Sequence, residues 1–147
     1  MKEVLVRSRS GARDFTSEVP WAAIQICDLR GQWPVLDAIN RVDLLQLRFR
    51  DQTAPSARCQ AEELFSEAHA EQILDFVLAN AGRIDWLLVH CEVGASRSPA
   101  VAAAVTRIFL AGDYYRFFTR HSPNILVYGR LLAAAQKRGL YQPPPDE

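Results

Sequence analysis

The chain has 147 residues, enough for one ordinary domain and too few for two. Apolar residues make up 49% of it and charged residues 23%, a balance typical of a folded protein rather than a disordered one. The 17 basic and 17 acidic side chains cancel, so net charge gives no sign of a nucleic acid or an acidic membrane as partner. We predict a single domain over residues 1–141 and a flexible Pro-rich tail over residues 142–147.

The sequence also lacks the marks of secretion and of metal binding. No apolar stretch of signal-peptide length follows the N-terminus, and no segment approaches the roughly 18 apolar residues of a membrane span. We therefore expect a cytoplasmic protein. The cysteines Cys27, Cys59 and Cys91 are odd in number and sparse, which argues against a disulfide framework. Neither C-x-x-C nor H-x-x-x-H spacing occurs, so we expect no zinc site.

Strand-like and helix-like patterns alternate along the chain. In chain order we predict strands at 4–6, 21–27, 44–49 and 86–89, and helices at 62–79, 99–110 and from about 122 to 137. This order predicts an α/β layer fold with a mainly parallel sheet. Sites in such sheets form where strands end, so the loops after Phe49 and Val89 are the candidates.

The loop after Val89 has residues suited to binding an anion. Gly94 permits backbone conformations that other residues resist, and successive N–H groups at a helix N-terminus can converge on one anion. Cys91 stands at the start of the loop, where the same field favours a thiolate. Arg97 closes the loop, and its planar guanidinium can hold two phosphate oxygens at once. A nucleophilic sulfur and a bidentate cation around one pocket point to phosphoryl transfer through a phosphocysteine.

The sequence from His90 to Ser98 reads H-C-E-V-G-A-S-R-S. It resembles the H-C-x5-R-[ST] signature of the cysteine-dependent protein tyrosine phosphatases, and its longer form resembles their dual-specificity branch, with small bacterial phosphatase-like proteins as the nearest relatives. Two further blocks are similar to that branch. S-P-N at 122–124 is followed by G-R-L-L at 129–132, where the branch has G-Q-L-L, and F-R-D at 49–51 resembles its general-acid loop.

The resemblance implies a role for each matching residue. Cys91 would be the nucleophile, Arg97 the phosphate clamp, and Ser98 the hydrogen-bond partner of the departing thiolate, although Ser98 could also simply cap the helix. His90 would orient and tune the cysteine, and Asn124 would brace the loop. Backbone N–H groups of the loop would line the phosphate, those of Glu92, Val93, Gly94, Ala95, Ser96 and Arg97.

Two assignments stay open at the level of sequence. Asp51 is the expected general acid, and Asp28, which ends a neighbouring strand, is its rival. Cys27 matches in position the second cysteine of phosphoinositide phosphatases of this superfamily, where the pair forms a protective disulfide. It is either a redox partner of Cys91 or a residue that fills the core.

The resemblance implies a three-layer α/β fold of the phosphotyrosine-phosphatase type, with a central, mostly parallel sheet of four or five strands flanked by helices. It also implies an enzyme that hydrolyses phosphomonoesters, with dual or tyrosine specificity. Its substrate would be a phosphoprotein or another phosphomonoester, and it would act as a monomer without nucleic acid or membrane partners. No metal or organic cofactor is expected, because Arg97 and the loop amides supply the positive field. Two alternatives remain: a pseudophosphatase that binds phosphorylated proteins without turnover, and a phosphatase of phosphoinositides or inositol phosphates.

Overall fold

The computed structural model describes residues 1–145, and a sheet of four strands lies at its centre. The strands are β1 (Glu3–Arg7), β2 (Trp21–Cys27), β3 (Arg41–Arg48) and β4 (Trp86–His90). They lie in the order β1-β4-β2-β3, and each neighbouring pair is parallel. The predicted parallel sheet is therefore confirmed. Because parallel strands end at the same edge, the loops after β2, β3 and β4 meet there.

Helices cover both faces of this sheet, which confirms the three-layer architecture. In the described part of the chain they are α1 (Arg9–Arg13), α2 (Glu67–Asn80), α3 (Arg97–Phe109), α4 (Arg116–Arg120) and α5 (Ile125–Lys137). The larger apolar core lies where α2, α3 and α5 pack against one another and against the sheet. On the opposite face, Ala12 of α1 packs with Trp21, Leu36 and Leu88 in a smaller core.

Burial follows strand position. Every residue of the central strand β2 is buried, and β4 is buried from Leu87 to His90, as its continuous apolar run predicts. The edge strand β3 is mostly half-exposed. Polar residues at the ends of β2 and β4 therefore lie inside the protein, next to the edge where the loops meet.

Two helices begin later than the sequence predicts, because a cap residue fixes each start. Residues 61–63 form a short 3-10 turn, and α2 begins only after Ser66, whose Oγ accepts the backbone N–H of His69 at 3.1 Å. Similarly α5 begins after Asn124 rather than at 122, because Asn124 Oδ1 accepts the N–H groups of Leu126 and Val127. The predicted helix start at about 122 was therefore too early.

Other boundaries differ by a few residues. The helix expected from Pro99 begins at Arg97, which places the proline in the first turn, where its missing N–H costs no hydrogen bond. The five-residue helices α1 and α4 were not predicted, because a single turn is too short to show periodicity. Residues 142–145 contain no helix or strand, and residues 146 and 147 of the predicted tail lie outside the described residues. No helix in residues 1–145 is long and apolar enough to span a membrane.

Candidate active site

The carboxyl ends of the strands border a cavity of about 690 Å³. Residues 28–31 after β2 form one wall, residues 50–52 after β3 form another with Glu63, and Arg97 at the start of α3 completes the lining. The cavity thus lies where sequence analysis expects the site. It collects three basic and three acidic side chains, so its electrostatic character is mixed.

The loop between β4 and α3 adopts a conformation that depends on Gly94. Its φ of +79° lies in the left-handed region, which strains residues with a side chain. A Cβ at this position would also lie 2.9 Å from the amide nitrogen of Ser8 and 3.0 Å from the carbonyl carbon of Arg7. Gly94 is therefore required both by its own backbone angle and by the backbone that packs against it.

Neighbouring segments hold this loop from both sides. The Arg9 N–H donates to the carbonyl oxygen of Glu92 at 3.0 Å, on the side of α1. On the other side, the N–H groups of Ser122 and Asn124 donate to the carbonyl oxygens of Ala95 and Ser96, both at 3.0 Å. These three carbonyl groups are thus paired outside the loop. The Asn124 contact to the loop is made by its backbone N–H, so a bracing role for its side chain stays a prediction.

The sulfur of Cys91 lies within reach of two hydrogen-bond donors. The N–H of Gly94 donates to Cys91 Sγ at 3.3 Å, and Ser98 Oγ lies 3.1 Å from the same sulfur. Cys91 is only 3% exposed, so its sulfur is largely shielded from solvent. Sequence analysis predicted the proximity of Ser98 to the sulfur from the family resemblance.

Arg97 is buried with one edge of its guanidinium group paired and the other free. Its Nη1 donates to Asp28 Oδ1 and to the carbonyl oxygen of Phe49, both at 2.8 Å. Among residues 1–145, Nε has no hydrogen-bond partner, although Arg97 is only 5% exposed. A buried, unpaired donor of this kind is costly unless a ligand accepts its hydrogen bond.

Asp51 reaches the loop from the end of β3. Its Oδ1 accepts a hydrogen bond from Ser96 Oγ at 2.8 Å and from Asn124 Nδ2 at 2.9 Å. Asn124 also donates to the carbonyl oxygen of Gln52 at 3.2 Å, which ties the β3 loop to the start of α5. Asp51 and Asp28 were the two candidates for the general acid. Asp51 contacts the loop through Ser96, and Asp28 pairs with Arg97.

No family model matches the chain, and neither does any curated protein. Solved structures do match. Human DUSP28 superimposes with a TM-score of 0.61 at 18% identity, over 92% of this chain and 93% of that one. PTPMT1, solved in complex with PI(5)P, gives 0.56 at 14% identity, over 92% and 91%. The human tyrosine phosphatase-like serine/threonine/tyrosine-interacting protein gives 0.55 at 16%, over 83% and 80%.

This chain has the fold of the dual-specificity cysteine phosphatases. Within that phosphatase fold, the loop from Cys91 to Arg97 joins the central strand β4 to α3.

His90 is held in one tautomer by a chain of hydrogen bonds across the sheet. Gln46 Nε2 donates to Gln25 Oε1 at 2.9 Å, and Gln25 Nε2 lies 3.0 Å from His90 Nε2. Because an amide nitrogen can only donate, His90 Nε2 must accept, which leaves the proton on Nδ1, 3.3 Å from the carbonyl oxygen of Cys91. Burial lowers the pKa of His90; Arg9 adds to that lowering, and Glu92 opposes it.

We expect the fold to lose stability in mild acid because of its histidines. Burial lowers the pKa of both His90 and His69 below the ordinary 6.5 in the folded state. Below about pH 6.5 the unfolded chain therefore binds protons that the folded chain does not, and the free energy of unfolding falls by at most about 1.4 kcal/mol per pH unit for each histidine. Above about pH 6.5 this contribution is fully present.

Urea unfolding at a neutral and a mildly acidic pH tests this expectation. His90→Gln removes one titrating group, so its loss of stability between the two pH values should be smaller than that of the wild type. An equal loss in both proteins would contradict the assignment to His90.

The remaining predicted residues have separate surroundings. Cys27 is buried at the end of β2, and its Sγ lies 3.8 Å from the carbonyl oxygen of Gln32. All three cysteines are free, so the proposed redox pairing of Cys27 with Cys91 stays a prediction. Within residues 1–145, no group of three or more His, Cys, Asp or Glu side chains is arranged to hold a metal ion.

Sequence analysis missed two features of the site. The first is the support of His90 by Gln25, for which a signal existed, since Gln25 is the one polar residue in the buried strand W-A-A-I-Q-I-C. The second is the hydrogen bond from Ser96 to Asp51. Ser96 precedes α3, but its hydroxyl makes no cap hydrogen bond, because it donates to the carboxylate instead. No pattern in the sequence indicates that contact.

Proposed function

We propose that this chain hydrolyses phosphomonoesters in two steps through a phosphocysteine on Cys91. One observation carries the proposal above all. The loop that carries the Cys91 sulfur is closed by a buried guanidinium, that of Arg97, whose Nε has no partner among the described residues. A sulfur nucleophile and an unsatisfied bidentate cation at the two ends of one loop suit a phosphoryl group. The phosphatase fold of the solved neighbours supports the same reaction class.

The steps balance with the groups at hand. The Cys91 sulfur attacks phosphorus, the bond from phosphorus to the ester oxygen breaks, and Asp51 gives that oxygen its proton. Water then attacks phosphorus, Asp51 takes a proton from it, and the sulfur–phosphorus bond breaks to release inorganic phosphate. Ser98 assists this second step, because its Oγ, 3.1 Å from the sulfur, can donate a hydrogen bond to the departing thiolate.

For the substrate we propose a phosphoprotein carrying phosphotyrosine, with phosphoserine and phosphothreonine also accepted. The cavity balances Arg30, Arg50 and Arg97 against three carboxylates, so it lacks the excess of positive charge that a multiply phosphorylated head group calls for. Next to the sulfur, the loop exposes Glu92 and Val93, and Val93 is 74% exposed. An apolar side chain beside the phosphate site suits contact with an aromatic ring.

A hydrolysis assay in the presence of EDTA tests the proposed function. The wild type should hydrolyse p-nitrophenyl phosphate and a phosphotyrosine peptide, and EDTA should not reduce either rate. A phosphatidylinositol monophosphate is assayed in parallel, since one structural neighbour was solved with PI(5)P. Faster turnover of that lipid would contradict the substrate class. Binding of inorganic phosphate without turnover of any substrate would instead identify a phospho-binding protein.

Asp51→Asn is expected to slow hydrolysis most where the leaving group is poor. The amide keeps the size of the side chain but cannot donate a proton to the ester oxygen. The loss in kcat should reach about 10²- to 10⁴-fold for phenyl phosphate and be much smaller for p-nitrophenyl phosphate. Glu62→Gln, in the same connection to α2, is the control and should change neither rate. Equal losses on both substrates would contradict Asp51 as the acid.

A further inference from the structure

In the hydrogen bonds and ion pairs of residues 1–145, the Asp28 carboxylate reaches the reactive loop through Arg97 alone. Arg97 Nη1 lies 2.8 Å from both Asp28 Oδ1 and the carbonyl oxygen of Phe49, so two acceptors share one end of the guanidinium group. Within residues 1–145, neither Nε nor Nη2 of Arg97 has an acceptor. We propose that Asp28 is a positioning residue, which fixes the guanidinium by Nη1 and keeps its Nε–Nη2 edge free for a phosphate. This inference rests on the proposed function.

The backbone of Asp28 is fixed well enough for this task. Its carbonyl oxygen accepts the N–H of Gly31 at 3.1 Å and Nη1 of Arg48 at 2.8 Å. Arg48 in turn donates to the carbonyl oxygen of Gly31 at 2.6 Å and lies 4.5 Å from the centroid of the Trp33 ring. Asp28 is therefore anchored to β3 through Arg48, although residues 28–40 contain no helix or strand.

The second acceptor on Arg97 is tied to the same framework. The Phe49 N–H donates to the carbonyl oxygen of Cys27 at 3.2 Å, so the ends of β2 and β3 are bonded to each other. The Phe49 ring is buried and packs against Phe65, with ring centroids 5.0 Å apart. The Asp28 carboxylate and the Phe49 carbonyl thus lie on one rigid edge and constrain Nη1 together.

Charge alone would give Asp28 the opposite effect. A carboxylate beside a phosphate site repels the bound anion, so its removal should strengthen phosphate binding and lower KM. A positioning role predicts instead that removal lowers kcat, because a misplaced guanidinium no longer matches the transition state. The side chain of Asp28 is 60% exposed, so its replacement leaves no buried cavity.

The test uses Asp28→Ala, Asp28→Asn and Asp28→Glu, with Asp37→Asn as the control. Asp37 is a carboxylate of the same β2–β3 connection, and its Oδ1 accepts the N–H of Ile39 rather than a group of Arg97. Steady-state rates are measured with p-nitrophenyl phosphate and with phenyl phosphate. A ¹⁵N NMR spectrum of the Arg97 Nε–H group, with and without inorganic phosphate, reports on the guanidinium without requiring turnover.

Asp28→Ala should lower kcat by about 10- to 100-fold, by the same factor on both substrates, because positioning does not depend on the leaving group. The loss of kcat should be smaller in Asp28→Asn, and Asp28→Glu should retain most of the wild-type kcat. Asp37→Asn should have the wild-type kcat. The Arg97 Nε–H signal should shift with phosphate in the wild type and be broadened in Asp28→Ala.

Several results would overturn the proposal. A larger loss of kcat with phenyl phosphate than with p-nitrophenyl phosphate in Asp28→Ala would indicate that Asp28 is a general acid. An unchanged kcat with a lower KM would indicate that Asp28 acts only through its charge. An unchanged Arg97 signal in Asp28→Ala would also refute it. If the wild type neither hydrolyses these esters nor binds phosphate, the proposed function fails and the role of Asp28 fails with it. If the wild type hydrolyses the esters and the Asp28 variants keep its rates, the proposed function stands and only the positioning role of Asp28 fails.

Discussion

Cys91→Ser is expected to lower kcat for p-nitrophenyl phosphate by about 10⁴-fold or more, because a serine hydroxyl is not ionised near neutral pH and is a far weaker nucleophile. The replacement is nearly isosteric, so the hydrogen bonds from Gly94 and Ser98 can persist. Affinity for inorganic phosphate should therefore change little. Steady-state rates and phosphate titration calorimetry on the same preparation separate the two effects.

Cys59→Ala is the matched control for this variant. Cys59 is also free and buried, but it lies in the turn where Ser56 pairs with Cys59, away from the loop that carries Cys91. Its replacement should leave kcat within a factor of about three of the wild type. Substantial turnover by Cys91→Ser, or an equal loss in Cys59→Ala, would contradict a thiolate nucleophile at position 91.

Arg97→Lys is expected to lower kcat/KM by about 10²- to 10³-fold, although the charge is retained. A lysine ammonium is a point charge, so it cannot offer two parallel N–H donors to a phosphate. The guanidinium bonds Asp28 and the Phe49 carbonyl through Nη1, which leaves Nε and Nη2 for a phosphate in the proposed mechanism. A single ammonium group cannot serve both purposes. The loss should appear in kcat as well as KM, because two donors match the transition state better than one.

The control is Arg30→Lys, since Arg30 also lines the cavity but is exposed rather than buried. It should change kcat/KM by no more than a factor of about three. Thermal unfolding of Arg97→Lys measures any general loss of stability from altering a buried charge. Wild-type kinetics in a folded Arg97→Lys protein would contradict a bidentate phosphate clamp.

The succession of strands and helices along the chain and the loop that bears the cysteine were predictable from the sequence, because both depend on local patterns. Local patterns indicate a buried strand at 86–89, a turn at Gly94 and an anion-binding side chain at Arg97. The proximity of Ser98 and Cys91 was implied by the family resemblance, and the two residues lie on one short strand–loop–helix segment. Such contacts need only the local geometry of a single crossover.

Long-range contacts were not predictable in the same way. The pairing of Asp28 with Arg97 joins residues 69 positions apart, and Asp51 reaches Asn124 across 73. Both depend on which strands are neighbours and how far each loop extends. The structure alone reveals that a Cβ at position 94 would collide with the backbone of Ser8. The sequence therefore predicted which carboxylates were candidates, but not which group each one would touch.

Trapping the intermediate tests the central claim most directly. The wild type and Ser98→Ala are mixed with p-nitrophenyl phosphate, quenched in acid within the first turnovers, and analysed by intact mass and by peptide mapping. The account predicts one added phosphoryl group on the tryptic peptide 84–97, at Cys91, with a larger trapped fraction in Ser98→Ala, where breakdown is slower. Turnover without a phosphorylated protein, or with the phosphoryl group on another residue, would contradict it.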